Sequence, residues 1–125
     1  MRPRSVALVA VLAGAFIVVS GGSAASGETL FQLKGEVYGN ALFKIEMKNQ
    51  ANKKLTTVKA GRYRIKIEDK ATIHNFHLKG PGVSKATSVP GRVDDLIWVV
   101  TLKQGTYRFV CDPHSTTMRG SFKVT

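Results

Sequence analysis

Gly105-Thr106-Tyr107-Arg108-Phe109-Val110-Cys111-Asp112-Pro113-His114 is the stretch of this 125-residue chain that decides its architecture. Tyr107, Phe109 and Cys111 fall on one side of the alternation, and Arg108 and Val110 fall on the other. That is the period of a half-buried β-strand, and it points the Cys111 sulfur inward at the strand's end. Pro113 stiffens the turn that follows and removes a donor. Working outward, Phe122 and Val124 form a last short strand, and Gln104-Gly105 is a tight turn. Before it, Leu96 to Leu102 is an apolar strand that places Trp98 in the core. Further upstream, Tyr63, Ile65 and Ile67 alternate with Arg62, Arg64 and Lys66, and Phe43, Ile45 and Met47 alternate with Lys44, Glu46 and Lys48. Asn49 to Lys54, Ala60-Gly61 and Lys79-Gly80-Pro81-Gly82 read as turns, with Glu68-Asp69-Lys70 leading into a segment around Ile73 to Leu78. Residues 83–95, with Pro90-Gly91 among them, read as a loop. No amphipathic helix, internal repeat or low-complexity linker interrupts the series. Short strands at this spacing predict an all-β fold, a Greek-key β-sandwich.

The chemistry-bearing residues cluster at the end of the quoted stretch. Cys111, His114 and Met118 bring a thiolate, an imidazole and a thioether onto one short loop before Gly120. A second imidazole is available in His74-Asn75-Phe76-His77. Residues three apart on an extended strand face opposite sides, so His74 and His77 do not readily bind one ion together. Two imidazoles, one thiolate and a weak axial thioether are the ligand set of a blue-copper site. Zinc accepts cysteine and histidine but rarely methionine. Iron–sulfur clusters need more cysteines, and a multicopper oxidase needs clustered His-x-His pairs that the chain lacks. Met118 alone would read as core filling; its place after Cys111 and His114 makes it a candidate ligand.

The remaining features set the context. Arg2 and Arg4, the uncharged apolar run Val6 to Val19 and the small residues Ser20 to Ala25 form a secretory signal, with cleavage expected after Ala25. Residues 26–125 then form one domain. An uncleaved anchor is the alternative, although the run is short of the roughly 20 residues that span a bilayer. With no cysteine near the cleavage site there is no lipid attachment, so the expectation is an exported protein: periplasmic, extracellular or at the cell surface. The single cysteine rules out an internal disulfide and would be a liability after export. A buried inert thiol and an intermolecular disulfide are the plain alternatives to a metal ligand. The formal net charge is +11. Without Arg2 and Arg4, 17 basic residues face 8 acidic ones, which leaves a mature form near +9. The alternating arginines and lysines first of all solvate strand faces. The global excess favours acidic partner proteins or an anionic envelope surface. Nucleic acid is disfavoured, because no recognised motif is present and the strand aromatics lie on the apolar side.

On His74-Asn75, the run Gly105 to His114 and Met118-Arg119-Gly120, the chain resembles the cupredoxins, the group of small blue-copper proteins that includes plastocyanin, amicyanin and pseudoazurin. The resemblance covers most of the mature chain. It implies His74, Cys111 and His114 as equatorial ligands of one copper ion and Met118 as the axial one. It also implies that the Asn75 side chain ties the first-histidine segment to the backbone near Asp112. One departure stands out. Three residues separate His114 from Met118, where amicyanin-like loops have two and plastocyanin-like loops have four, so the subfamily stays open. The function implied is one-electron transfer through Cu(I)/Cu(II) between redox protein partners, by a monomer that is not an enzyme. Copper handling by an exported chaperone or scavenger with the same ligands is the alternative. Phe76, Pro81 and Pro113 are the expected apolar rim around His114.

Overall fold

Alternating apolar and charged residues sort themselves onto the two faces of a sheet, and here two such sheets close on each other. The computed structural model describes residues 30–125; the signal expected over residues 1–25 lies outside them. The elements are β1 (Phe31–Val37), β2 (Ile45–Lys48), β3 (Thr57–Val58), β4 (Gly61–Asp69), β5 (His77–Gly80), β6 (Val83–Ala86), β7 (Val93–Leu102), β8 (Gly105–Val110) and β9 (Arg119–Val124), with one 3-10 turn at Asp112–His114. The first sheet has the order β2-β1-β4-β7 and the second β3-β9-β8-β5-β6. Most neighbours are antiparallel, but β1 runs parallel to β4 and β3 parallel to β9. The expected β-sandwich is therefore the fold observed.

Along β4, β8, β9 and the second half of β7, every second residue is buried. Leu33, Tyr63, Ile65, Ile67, Trp98, Val100 and Leu102 come from the first sheet, and Leu78, Tyr107, Phe109, Phe122 and Val124 from the second; all belong to one buried cluster. Aromatic rings fill its middle. Phe76 stacks on Phe109 with centroids 5.9 Å apart, and Tyr107 stacks on Phe122 at 5.4 Å. Burying one large apolar side chain stabilises by roughly 1.5–3 kcal/mol, so these rings carry much of the core energy.

Four expectations change. First, β1 was not anticipated. Second, Phe43 is not a strand residue: it is 56% exposed. The Leu42 amide donates to the Gly39 carbonyl and the Tyr38 amide to the Lys44 carbonyl, so a turn precedes β2 and holds Phe43 off the ladder. Third, residues 83–95 are not all loop, because β6 pairs with β5 and β7 begins at Val93. Fourth, Phe76 is fully buried and so cannot rim a surface site. Pro81 also lies elsewhere: it packs by Gly105, and its carbonyl accepts a 2.7 Å bond from the Tyr107 hydroxyl.

The register gives the sandwich two distinct poles. Phe31 pairs with Tyr63, Gly61 with Leu102 and Gly105 with Val124, which puts these residues at one pole. Val37 pairs with Asp69, and His77 with Val110, at the opposite pole. The chain reaches that second pole at the end of β4 and again at the end of β8. Residues 70–76 and 111–118 therefore meet there.

Candidate metal centre

Local chemistry shapes the 111–118 loop first. The Cys111 amide donates to the Met118 carbonyl at 2.9 Å, adding one more bond beyond the β8–β9 ladder. Inside that closure, the His114 amide donates to the Cys111 carbonyl at 3.1 Å and the Met118 amide to the His114 carbonyl at 2.8 Å. Pro113 stands early in the 3-10 turn, where its fixed φ suits the helical start and its missing N–H costs nothing. The loop is therefore closed by its own backbone.

The second strap reaches the loop from residues 70–76. The Asn75 carboxamide oxygen accepts the Asp112 amide at 2.8 Å, and its nitrogen donates to the Asp112 carboxylate at 2.8 Å. That is the tie expected of Asn75. The same nitrogen reaches the Thr87 carbonyl at 3.2 Å. The Thr87 hydroxyl accepts the Phe76 amide and donates to Asp69 Oδ2 at 2.9 Å, while Asp69 Oδ1 accepts the Ala71 amide at 3.1 Å. Burial pushes the Asp69 carboxyl up, against the pull of these two donors and of the nearby His74 ring.

These constraints bring three donor atoms together. His74 Nδ1 lies 3.0 Å from His114 Nδ1. Cys111 Sγ lies 3.7 Å from His74 Nδ1 and 3.6 Å from His114 Nδ1. All three sit within 4.8 Å of one another; His74 and Cys111 are buried and His114 is half-buried. Burial lowers the His74 pKa and the facing His114 ring lowers it further; the Asn40 backbone and Asp69 act the other way. The ring is thus held in the neutral form that can donate a lone pair. Its Nε2 is buried with no hydrogen bond of good geometry. A metal on Nδ1 fits this ring, since it would fix the tautomer with the proton on Nε2. The triangle also has the right size: metal bonds of about 2.0–2.3 Å to nitrogen and sulfur span edges of this length at open angles.

His77 does something else. Its Nδ1 donates to the Asp112 carboxylate at 2.9 Å and 3.0 Å, and its Nε2 lies 3.1 Å from the Ser84 hydroxyl. It points away from the donor triangle, as the three-residue offset from His74 requires. Asp112 is held below the usual carboxylate range: burial pushes it up, but Asn75, His77 and Lys79 outweigh that. Met118 is buried in the core cluster. Phe43 was missed as a site residue. Its ring meets His74 edge-on at 5.1 Å and His114 edge-on at 4.9 Å, covering both imidazoles. The turn signal Gly39-Asn40 just ahead of it is the sequence feature that could have shown it leaving the strand.

A sequence-family profile described as a cupredoxin-like domain matches residues 9–124. The chain belongs to that family. Among solved structures, this cupredoxin-like chain is similar to auracyanin A, a "blue" copper protein from the green thermophilic photosynthetic bacterium Chloroflexus aurantiacus. The two share 17% identity and a TM-score of 0.50, over 77% of this chain and 99% of auracyanin A. Reduced auracyanin from Roseiflexus castenholzii matches at 16% identity and a TM-score of 0.47, over 76% and 97% of the two chains. Plastocyanin from Dryopteris crassirhizoma matches at 22% and 0.44, over 74% and 99%. At these identities the likeness to auracyanin A speaks for the fold. No curated relative matches the chain.

Proposed function

We propose that this cupredoxin-like protein binds one copper ion through His74, Cys111 and His114, with Met118 as a weak axial ligand, and carries single electrons between redox proteins. The observation that supports this most is the convergence of one sulfur and two imidazole nitrogens from segments 37 residues apart in sequence. The donor set matches the metal: thiolate is soft and imidazole borderline, as copper in both oxidation states prefers. Copper, when bound, supplies the Cu(I)/Cu(II) couple. The chain's part is to keep its donors fixed. Asn75 and His77 both hold Asp112, and the Cys111–Met118 backbone bond closes the loop, so little would move between the two states. No step transforms a substrate, so the protein is not an enzyme in this reading.

The electron would leave through the half-buried His114 edge, past Phe43. The leader-like residues 1–25 and the domain beyond them support export; among the described residues, no helix is long and apolar enough to cross a membrane. A monomer near +9 would meet acidic redox partners, and could associate peripherally with an anionic envelope surface. The test is a visible and paramagnetic-resonance spectrum of the protein with added Cu(II). The expected result is one copper per chain with an intense thiolate-to-copper band, abolished in Cys111→Ser. A colourless parent, or a blue Cys111→Ser, overturns the assignment. A blue parent that loses its copper readily and exchanges electrons slowly would favour copper handling.

A further inference from the structure

The strand charges are segregated by sheet. The first sheet carries five cations, Lys34, Lys48, Arg62, Arg64 and Lys66, against six anions, Glu36, Glu46, Glu68, Asp69, Asp94 and Asp95. The second carries five cations, Lys79, Lys85, Arg108, Arg119 and Lys123, and no acidic residue at all. On the first sheet, lysines and glutamates neutralise one another in a network of ion pairs. On the second, the only described ion pair is the one between His77 and Asp112. The excess positive charge of the strands therefore faces one way.

A cleft sits within that positive face. It measures about 580 Å³ and is lined by Arg108, Val110, Ser115, Arg119, Gly120 and Ser121. Register explains it: Arg108 pairs with Ser121 and Val110 with Arg119, so the two arginines are diagonal neighbours on one face. Phe109 and Gly120 pair between them on the inward side, where the Phe109 ring packs over the glycine, so only the outward side chains of both strands line the cleft. Both guanidiniums are exposed, and the two serines add hydroxyl donors. The cleft also reaches the metal loop by the shortest covalent route. Val110 precedes Cys111, and Ser115 follows His114.

We propose that the Arg108–Arg119 cleft, on the outer face of the second sheet, is the docking surface for a carboxylate-rich patch of an acidic redox protein. The proposal rests on the electron-transfer reading for its purpose, but not for its test. Charge complementarity selects the occupant. Two forked guanidiniums and two hydroxyls match clustered aspartate and glutamate side chains, and arginine pairs with carboxylates in bidentate fashion. The neutralised first sheet offers no such field. Docking here would hold the partner beside the loop that carries Cys111 and His114, on a face adjoining the histidine pole. The lysine at Lys79, opposite Arg108, would widen the positive rim.

The probe is a synthetic oligoglutamate of ten residues, titrated at low salt into 15N-labelled protein under ascorbate. The expected shifts fall on residues 108–110, 115 and 119–121. Reversing both arginines (Arg108→Glu with Arg119→Glu) should weaken oligoglutamate binding by on the order of tenfold or more. Arg64→Glu, which reverses a charge on the first sheet, should change it less than about twofold. Shifts spread evenly over all lysines and arginines, or an Arg64→Glu as damaging as the double variant, would reduce the effect to net charge and overturn the proposal. Inorganic phosphate reproducing the same shifts while oligoglutamate does not would make the cleft a small-anion site instead. Shifts from anionic lipid vesicles but not from oligoglutamate would make it a membrane contact. None of these results depends on copper, so a colourless protein would sink the electron-transfer reading and leave the docking result to stand or fall alone.

Discussion

Met118 is held by its backbone on both sides of the loop, accepting from the Cys111 amide and donating to the His114 carbonyl. Its side chain is buried in the core cluster, and in the proposed copper reading it would tune the centre while the backbone holds the loop. Replacing it with leucine should keep copper and colour but raise the reduction potential, since losing an axial donor disfavours Cu(II). Met118→Gln should lower it, because an amide oxygen is the harder ligand. Voltammetry of the pair decides: an unchanged or lowered potential in Met118→Leu would mark the residue as packing alone. The two upstream histidines separate in the same way. His74→Ala should lose the blue band and His77→Ala should keep it, because His77 grips Asp112 and stays outside the donor triangle; spectra showing the reverse would move the ligand. Cys111 and His114 were legible in sequence as neighbouring donors because one short loop carries both; Met118 belongs to the proposal. His74 was legible once the adjacent asparagine was read with it. Thr87 and Asp69 were not, because nothing local marks them, and Phe43 was not, because the alternation it shares with Ile45 and Met47 masks the Gly39-Asn40 turn signal ahead of it. Phe43 leaves its apparent strand through a turn, and Thr87 and Asp69 matter through hydrogen bonds to residues distant in sequence.

At the level of elements, β8 and β9 are locked by an aromatic ring over a glycine. A Cβ on Gly120 would stand 2.2 Å from the ring of Phe109 on the paired strand. Gly120→Ala should therefore destabilise the protein by about 1–3 kcal/mol through overpacking. For a domain of this size each kcal/mol lowers Tm by roughly 4–8 °C, which calorimetry reads directly; a neutral substitution would mean that the ring swings aside. The strands that could be read in advance are those with full alternation: β2, β4, β8, β9 and most of β7. β1 hid because its central inward position is Gly35, which contributes no apolar side chain to the pattern. A Cβ there would meet Ile67 and the Phe76 ring at 2.7 Å, so the position must stay bare. β6 hid for a different reason. It is an edge strand with only Val83 partly buried, and an exposed edge has no reason to alternate.

For the whole molecule, the neutralised sheet predicts an acid limit. Glu36 is nearly buried, and burial alone would push its carboxyl up; Lys70, Lys34 and Lys48 overcome this and bring it down to about 2 from 4.5. A carboxyl whose folded pKa is depressed contributes stability above its unfolded value and loses it as pH falls through the folded one. Stability should thus decline between about pH 4.5 and pH 2. The contribution is on the order of 2–3 kcal/mol. Glu36→Gln should be less stable at neutral pH and show a shallower acid slope. Chemical denaturation at pH 7, 4 and 3 measures both, and parallel slopes would refute it. Net charge read from composition could not foresee this, because it gives the total and not which sheet holds it. The two-pole layout has one more consequence, for handling the protein. β1 starts and β9 ends at the pole away from the histidines, where Thr125 accepts the Ala60 amide. A linker grafted ahead of Phe31 or after Thr125 would therefore pin the molecule to an electrode or bead with its histidine pole outward. Such a film should exchange electrons with dissolved proteins and only weakly with the support beneath it.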